Sequence, residues 1–71
     1  MAAVHHLRRE GNGRVLEQDH PTAQRAYQAI GQSIADNGYA GKAEAQRFAA
    51  TVRADGTPAA FGPYVFTLTR G

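Results

Sequence analysis

The sequence predicts a small α+β domain in the order β-β-α-α-β, with a three-stranded sheet and two helices on one face. Three observations carry this. Two apolar stripes recur at helical spacing in the middle of the chain, a Gly-Asn-Gly separates two strand-like runs near the start, and an alternating run lies near the end. Three strands under two helices is the arrangement that hides both stripes with the fewest elements.

The first two strands are read between Val4 and Gln18. The runs Val4–Arg9 and Arg14–Gln18 flank Gly11-Asn12-Gly13, residues that tolerate the positive φ of tight turns. Two registers compete. A three-residue loop sets Glu10 opposite Arg14 and Leu7 opposite Glu17. A four-residue loop sets Leu7 opposite Leu16 and Arg9 opposite Arg14. Apolar burial outweighs an exposed ion pair, which favours the four-residue loop.

Asp19-His20-Pro21-Thr22 signals a helix start, with Asp19 or Thr22 as the cap and Pro21 in the first turn. Ala23, Ala26, Tyr27, Ile30 and Ile34 form one stripe, and Arg25, Gln28, Gln32 and Asp36 fall opposite. Gly31 sits mid-helix, where it costs about 1 kcal/mol relative to Ala. Close approach of another backbone would compensate. Asn37-Gly38 ends the helix. The second helix is expected from Gly41 or Lys42 to about Ala54, with Ala45, Phe48, Ala49 and Val52 as its stripe and Glu44 favouring its N-terminus. Asp55-Gly56-Thr57-Pro58 is a stop, and Gly62-Pro63 breaks the next stretch. Tyr64–Thr69 alternates as the strongest strand, placing Tyr64, Phe66 and Leu68 on one face. Pro63 cannot donate to a ladder and belongs at its start or at an edge. The strand itself suits either a sheet edge or the centre.

Seventy-one residues make one domain, 1–71. The core is thin: Leu, Ile, Val and Phe number only 12, against 14 alanines. That share lies under the ~20% level that hints at disorder, but disorder also needs high net charge, and this chain carries only +2. A chain with so little core completes it by oligomerising or docking on a partner. The absence of cysteine excludes disulfides and thiolate chemistry. No apolar run is long enough to span a bilayer, and Met1–Arg9 lacks the apolar stretch of a signal peptide. The expected location is cytoplasmic. An Ala-, Gly-, Arg- and Gln-rich chain with one lysine suggests a bacterial or phage source.

The candidate chemistry is sparse. His5 and His6 are neighbours on a strand, so they point to opposite faces and cannot share an ion; no metal site is expected. Gly11-Asn12-Gly13 lacks the third glycine of a dinucleotide fingerprint. In Gly38–Ala43, Asp36 stands where the first glycine of a phosphate loop belongs, and Ala43 replaces its hydroxyl residue. Ser33, the only serine, lies inside a helix. Neither an enzyme, a cofactor nor a small-molecule substrate is expected.

Basic residues remain. Seven of the eight cations are arginine, suited to bidentate phosphate and guanine contacts. Arg8, Arg9 and Arg14 cluster on the hairpin, and Lys42, Gln46 and Arg53 share a flank of the second helix. From Arg14 to Ala54 the order is strand, helix, glycine-containing turn, helix. That order is similar to ribbon-helix-helix repressors, with Gly38 followed by Glu44 resembling their turn into the second helix. The resemblance implies an obligate dimer that reads DNA with a paired strand. The chain departs from it at Ala40 and Gly41, where hydroxyl residues are usual, in the strand's membership of a hairpin, and in a further strand beyond.

The function expected is therefore a small non-enzymatic protein-binding or regulatory module, a homodimer or other homo-oligomer. The alternative is a nucleic-acid-binding regulator using the basic hairpin. The contact residues expected for partner or nucleic acid are Arg8, Arg9, Arg14, Lys42 and Arg53.

Overall fold

The computed structural model describes residues 4–71; the first three positions of the expected domain, where the N-terminal reading begins, lie outside the described residues. Within 4–71 the chain forms β1 (His5–Gly11), β2 (Arg14–His20), α1 (Ala23–Asp36), α2 (Lys42–Ala49), β3 (Ala59–Phe61) and β4 (Tyr64–Arg70). All strand pairs are antiparallel, in the order β2-β1-β4-β3. The expected α+β domain and its two helices are present. The expected three-stranded sheet is not: it has four strands, and β3 supplies the extra one. Ala59-Ala60-Phe61 is too short and too alanine-rich to stand out as a strand. It forms because Gly62, at φ 58°, and Pro63 make a two-residue turn that folds it back on β4.

β4 lies inside the sheet, between β1 and β3. Beyond β3 its side is closed by the segment after α2: Gly56 N–H donates to Leu68 C=O at 2.9 Å and Arg70 N–H to Ala54 C=O at 3.1 Å. The strand that suited an edge or a centre equally is thus central. Its alternation builds the core. Tyr64, Phe66 and Leu68 are buried beneath the helices with Leu7, while Val65, Thr67 and Thr69 turn to the other face, which no helix covers.

Helix α1 begins where Thr22 accepts a hydrogen bond from the Arg25 amide, so Thr22 is the cap, and Pro21 precedes it rather than entering the first turn. Its stripe is buried as expected at Ala26, Ile30 and Ile34. It ends with Gly38 at φ 76°, the Tyr39 amide donating to Ile34 C=O and the Gly38 amide to Ala35 C=O, a paired closure that satisfies two orphan carbonyls. Gly31 does meet a close neighbour, but it is a side chain: a Cβ there would lie 2.6 Å from the Gln46 amide nitrogen. Helix α2 is shorter than expected, stopping at Ala49 instead of about Ala54. Thr51 terminates it by donating its hydroxyl to Phe48 C=O at 2.6 Å. Val52 is still buried, beyond the helix end. Phe48 fixes α2 over the sheet, with ring centroids 4.9 Å from Phe61 and 6.1 Å from Phe66.

Both expected hairpin registers are wrong. Gly11 pairs with Arg14 across a two-residue turn, Asn12-Gly13, with φ 53° and 74°. Positive φ at both central residues matches the right-handed twist of the strands, and Asn-Gly is the pair best suited to it. The turn therefore sets Leu7 opposite Gln18 and Arg9 opposite Leu16. The apolar pairing that favoured a longer loop had no core to enter, because β2 is exposed along almost its whole length.

Gly11 is required for a further reason. A Cβ there would lie 2.5 Å from the Pro63 carbonyl oxygen and 2.6 Å from Tyr64 Cδ1, joining the tip of one hairpin to the turn of the other. At Gly13 nothing lies within 4 Å of such an atom. Gly13→Ala is expected to cost about 1 kcal/mol for its left-handed backbone, and Gly11→Ala about 3 kcal/mol because backbone must also shift. Equal losses in urea unfolding would refute the close-approach account.

Candidate partner-binding edge

Strand alternation divides the charged residues of the hairpin between two environments. His5, Leu7 and Arg9 face the helices, as do Arg14, Leu16, Gln18 and His20 on β2. His6, Arg8 and Glu10 face the open side with Val15, Glu17 and Asp19. The expected cluster of Arg8, Arg9 and Arg14 is therefore not one patch. Arg8 is on the open face, paired with Glu10 at 2.7 Å. Arg9 is half-buried on the helix face: its guanidinium carbon lies 4.7 Å from the centre of the Tyr64 ring, and it donates to Ser33 Oγ at 3.2 Å. Arg14 is exposed at the hairpin tip on Arg9's face. The two line a shallow concavity of about 300 Å³ with Asn12, Asn37 and Tyr64, into which Gly11 places no side chain.

The second expected group is also dispersed. Lys42 is exposed at the start of α2, while Arg53 lies past the helix end, paired with Asp55 at 3.1 Å. The early stop of α2 removes the flank they were to share. Gln46 turns inward over Gly31, lining with Gln28, Gln32, Asp36 and Lys42 a groove of about 400 Å³ between the helices.

Sequence reasoning missed two features of the histidines. His5 and His20 are direct cross-strand partners on the helix face, and His5 Nδ1 and His20 Nε2 are buried with no hydrogen-bond partner among the described residues. Among those residues no group of three or more His, Cys, Asp or Glu side chains is placed to hold a metal ion. On the open face, His6 donates from Nδ1 to Asp19 at 2.7 Å and from Nε2 to Glu17 at 2.9 Å. A neutral imidazole carries one N–H, so making both bonds selects the imidazolium. These hydrogen bonds, first to Asp19 and then to Glu17, raise the His6 pKa above its usual 6.5. The Asn12-Gly13 dipeptide was the signal that could have found this cluster, since a two-residue turn alone places Asp19 opposite His6.

The larger omission is β2 as an edge. It is seven residues long, and one whole side of it is unpaired. A two-residue turn makes Gly11 and Arg14 a hydrogen-bonded pair, so the even-numbered residues of β2 direct their backbone groups at β1. The N–H and C=O groups of Val15, Glu17 and Asp19 therefore point outward. Val15 and Leu16 are 56% and 41% exposed, one on each face. The opposite edge, β3, has only three residues. Val15-Leu16 are adjacent apolar residues rather than alternating ones, which is the sequence sign that this strand serves no single buried face.

Two outcomes follow. Because the His6 pKa is raised on folding, its contribution to stability is complete below pH 6.5 and is lost as pH rises through the folded value. The wild-type minus His6→Gln difference in urea midpoint should shrink across that window, and an NMR titration of His6 with a midpoint at or below 6.5 would refute it. Arg9→Ala should destabilise by about 1–2 kcal/mol through loss of the Tyr64 and Ser33 contacts, and Arg8→Ala by under about 0.5 kcal/mol, because its pair is exposed; the reverse ranking in urea unfolding would overturn these placements. Function has to be read from this geometry, since the chain matches no protein-family model, no curated protein and no solved structure with which it was compared.

Proposed function

We propose that the chain is a small protein-binding module that captures its partner by adding a strand at β2. The observation that carries this is the open, seven-residue edge with exposed Val15 and Leu16 on its two faces. An unpaired strand edge offers a ready row of backbone donors and acceptors, and alternate side chains supply selectivity. Proteins that must avoid such pairing shorten the edge, bulge it, or load it with proline or with charge, lysine above all. β2 has no proline or lysine, two of its three charged residues, Glu17 and Asp19, are engaged by His6, and its pairing with β1 runs without a break from Gly11↔Arg14 to His5↔His20. Expected contacts therefore move from the dispersed cations to Val15, Leu16 and Glu17, with Arg14 the one expected residue that stays on the edge.

The test uses the edge's own geometry. The Glu17 amide points outward, where proline is tolerated but blocks pairing. Peptides selected from a random displayed library on the wild-type protein should shift the Val15, Glu17 and Asp19 amide resonances. Glu17→Pro should abolish their binding, whereas Glu17→Ala, which keeps the N–H, should retain it. Binders indifferent to Glu17→Pro would refute strand addition.

A further inference from the structure

Resting on the edge-strand reading, we propose that the occupant of the β2 edge is a second copy of this chain, paired antiparallel about a two-fold axis at Leu16. The two four-stranded sheets then join into one continuous sheet with all helices on one side.

Geometry leaves few registers. Residues directly opposite in an antiparallel pair share a face, so joining the copies with their helices on the same side places the axis on a residue, not between two. An axis at Gln18 sets Glu17 against the other copy's Asp19, and an axis at Glu17 sets two glutamates face to face. An axis at Val15 pairs only Arg14 to Leu16 of each copy and sets Glu17 and Gln18 against the Asn12-Gly13 turn. An axis at Leu16 brings the two Leu16 side chains together on the helix face and sets Val15 against Glu17. These are the residues whose backbone groups point outward, so Val15 and Glu17 exchange both hydrogen bonds on each side of the axis.

Charge favours the same register. With Leu16 on the axis, Arg14 of one copy lies directly across from Gln18 of the other. Gln18 lines a concavity of about 270 Å³ against the C-terminal half of α1, together with Asp36, Ser33 and Arg9. Arg9 is the cation already there, and it is engaged by Ser33 and Tyr64. Among the described residues neither Arg14 nor Asp36 has an ion-pair partner. The incoming Arg14 thus meets a carboxylate and the negative end of a helix dipole. With the axis at Glu17 it would instead lie opposite His20, a full pleat repeat away.

The chain has no cysteine, so Leu16→Cys carries a single thiol. On oxidation it should form a disulfide-linked dimer, because β-carbons across the axis approach within bonding range. Glu17→Cys should not. Wild-type protein should sediment as a dimer, and Leu16→Arg should raise its dissociation constant at least about tenfold. Leu16 is exposed, so that variant keeps the fold. Arg14→Glu should weaken the dimer, and adding Asp36→Arg should restore it. Cross-linking at position 17 but not 16, or failure of the charge swap to restore affinity, overturns the register and with it the proposal. A monomer up to millimolar concentration overturns the second copy alone if selected peptides still bind at the edge in a Glu17→Pro-sensitive way. A dimer untouched by Leu16→Arg and Glu17→Pro overturns this proposal and, where peptide binding also ignores Glu17→Pro, the edge-strand reading beneath it.

Discussion

Everything in this fold depends on the burial of one row of side chains on β4. Tyr64, Phe66 and Leu68 point the same way from the strand, and Phe66 and Leu68 are completely buried with Ile30 and Ile34 above them. Few other large apolar groups are available. The helices meet this row through alanines, Ala26 on α1 and Ala45 and Ala49 on α2, which bring backbone close but bury little area each. A core so small can cover only one face of a sheet. Both helices are therefore committed to the side of Phe66, and the opposite side of every strand is left to water.

The same scarcity explains why the two hairpins meet as they do. Gly11 of the first lies against the Pro63 carbonyl and Tyr64 of the second. Tyr64 in turn carries Arg9 over its ring and packs edge-on against Tyr39, whose hydroxyl accepts from Asn12 at 3.2 Å. These polar and aromatic contacts tie the turn between the helices to both hairpins, at the end of the molecule where the aliphatic core runs out. Arginine suits this position: its flat, weakly hydrated guanidinium can stack and donate at once. Its half-burial makes Arg9 a packing residue, although in sequence it is indistinguishable from its neighbour Arg8.

What could be read from the sequence was whatever depends on local pattern. The α1 stripe, its Gly38 terminus and the alternation of β4 are periodic or conformational signals, and each is where it was expected. What could not be read depends on partners distant in sequence. β3 is three weak residues that exist as a strand only because β4 is there to pair with. The end of α2 was set by a threonine hydroxyl against a helical period that continued to Val52. The hairpin register failed differently: the two-residue Asn-Gly turn was legible, but it was subordinated to a leucine pair that the sheet never buries. Charge clustering failed for the same reason, since adjacency along a strand separates Arg8 from Arg9 rather than joining them.

That failure is informative about β2. Its side chains bury little, and among the described residues its side-chain hydrogen bonds are the His6 clasp on Glu17 and Asp19, beside the ladder to β1 and the packing of Gln18 near α1. Folding therefore places little demand on which residues occupy its outer positions. A strand under no demand to bury anything would be expected to drift toward threonine, lysine or glutamine, which keep an exposed edge soluble. β2 instead carries Arg14, Val15 and Leu16 in its N-terminal half and both its acids, Glu17 and Asp19, toward its C-terminal half, so the strand is basic and apolar at one end and acidic at the other. Such a gradient cannot be matched by a parallel copy, which would set acid beside acid, but an antiparallel copy sets the apolar half of one strand against the acidic half of the next. With the axis at Leu16, the leucines cover each other and each Glu17 meets a valine rather than another carboxylate. Val15 and Leu16, which the monomer leaves exposed, are what an antiparallel partner would cover.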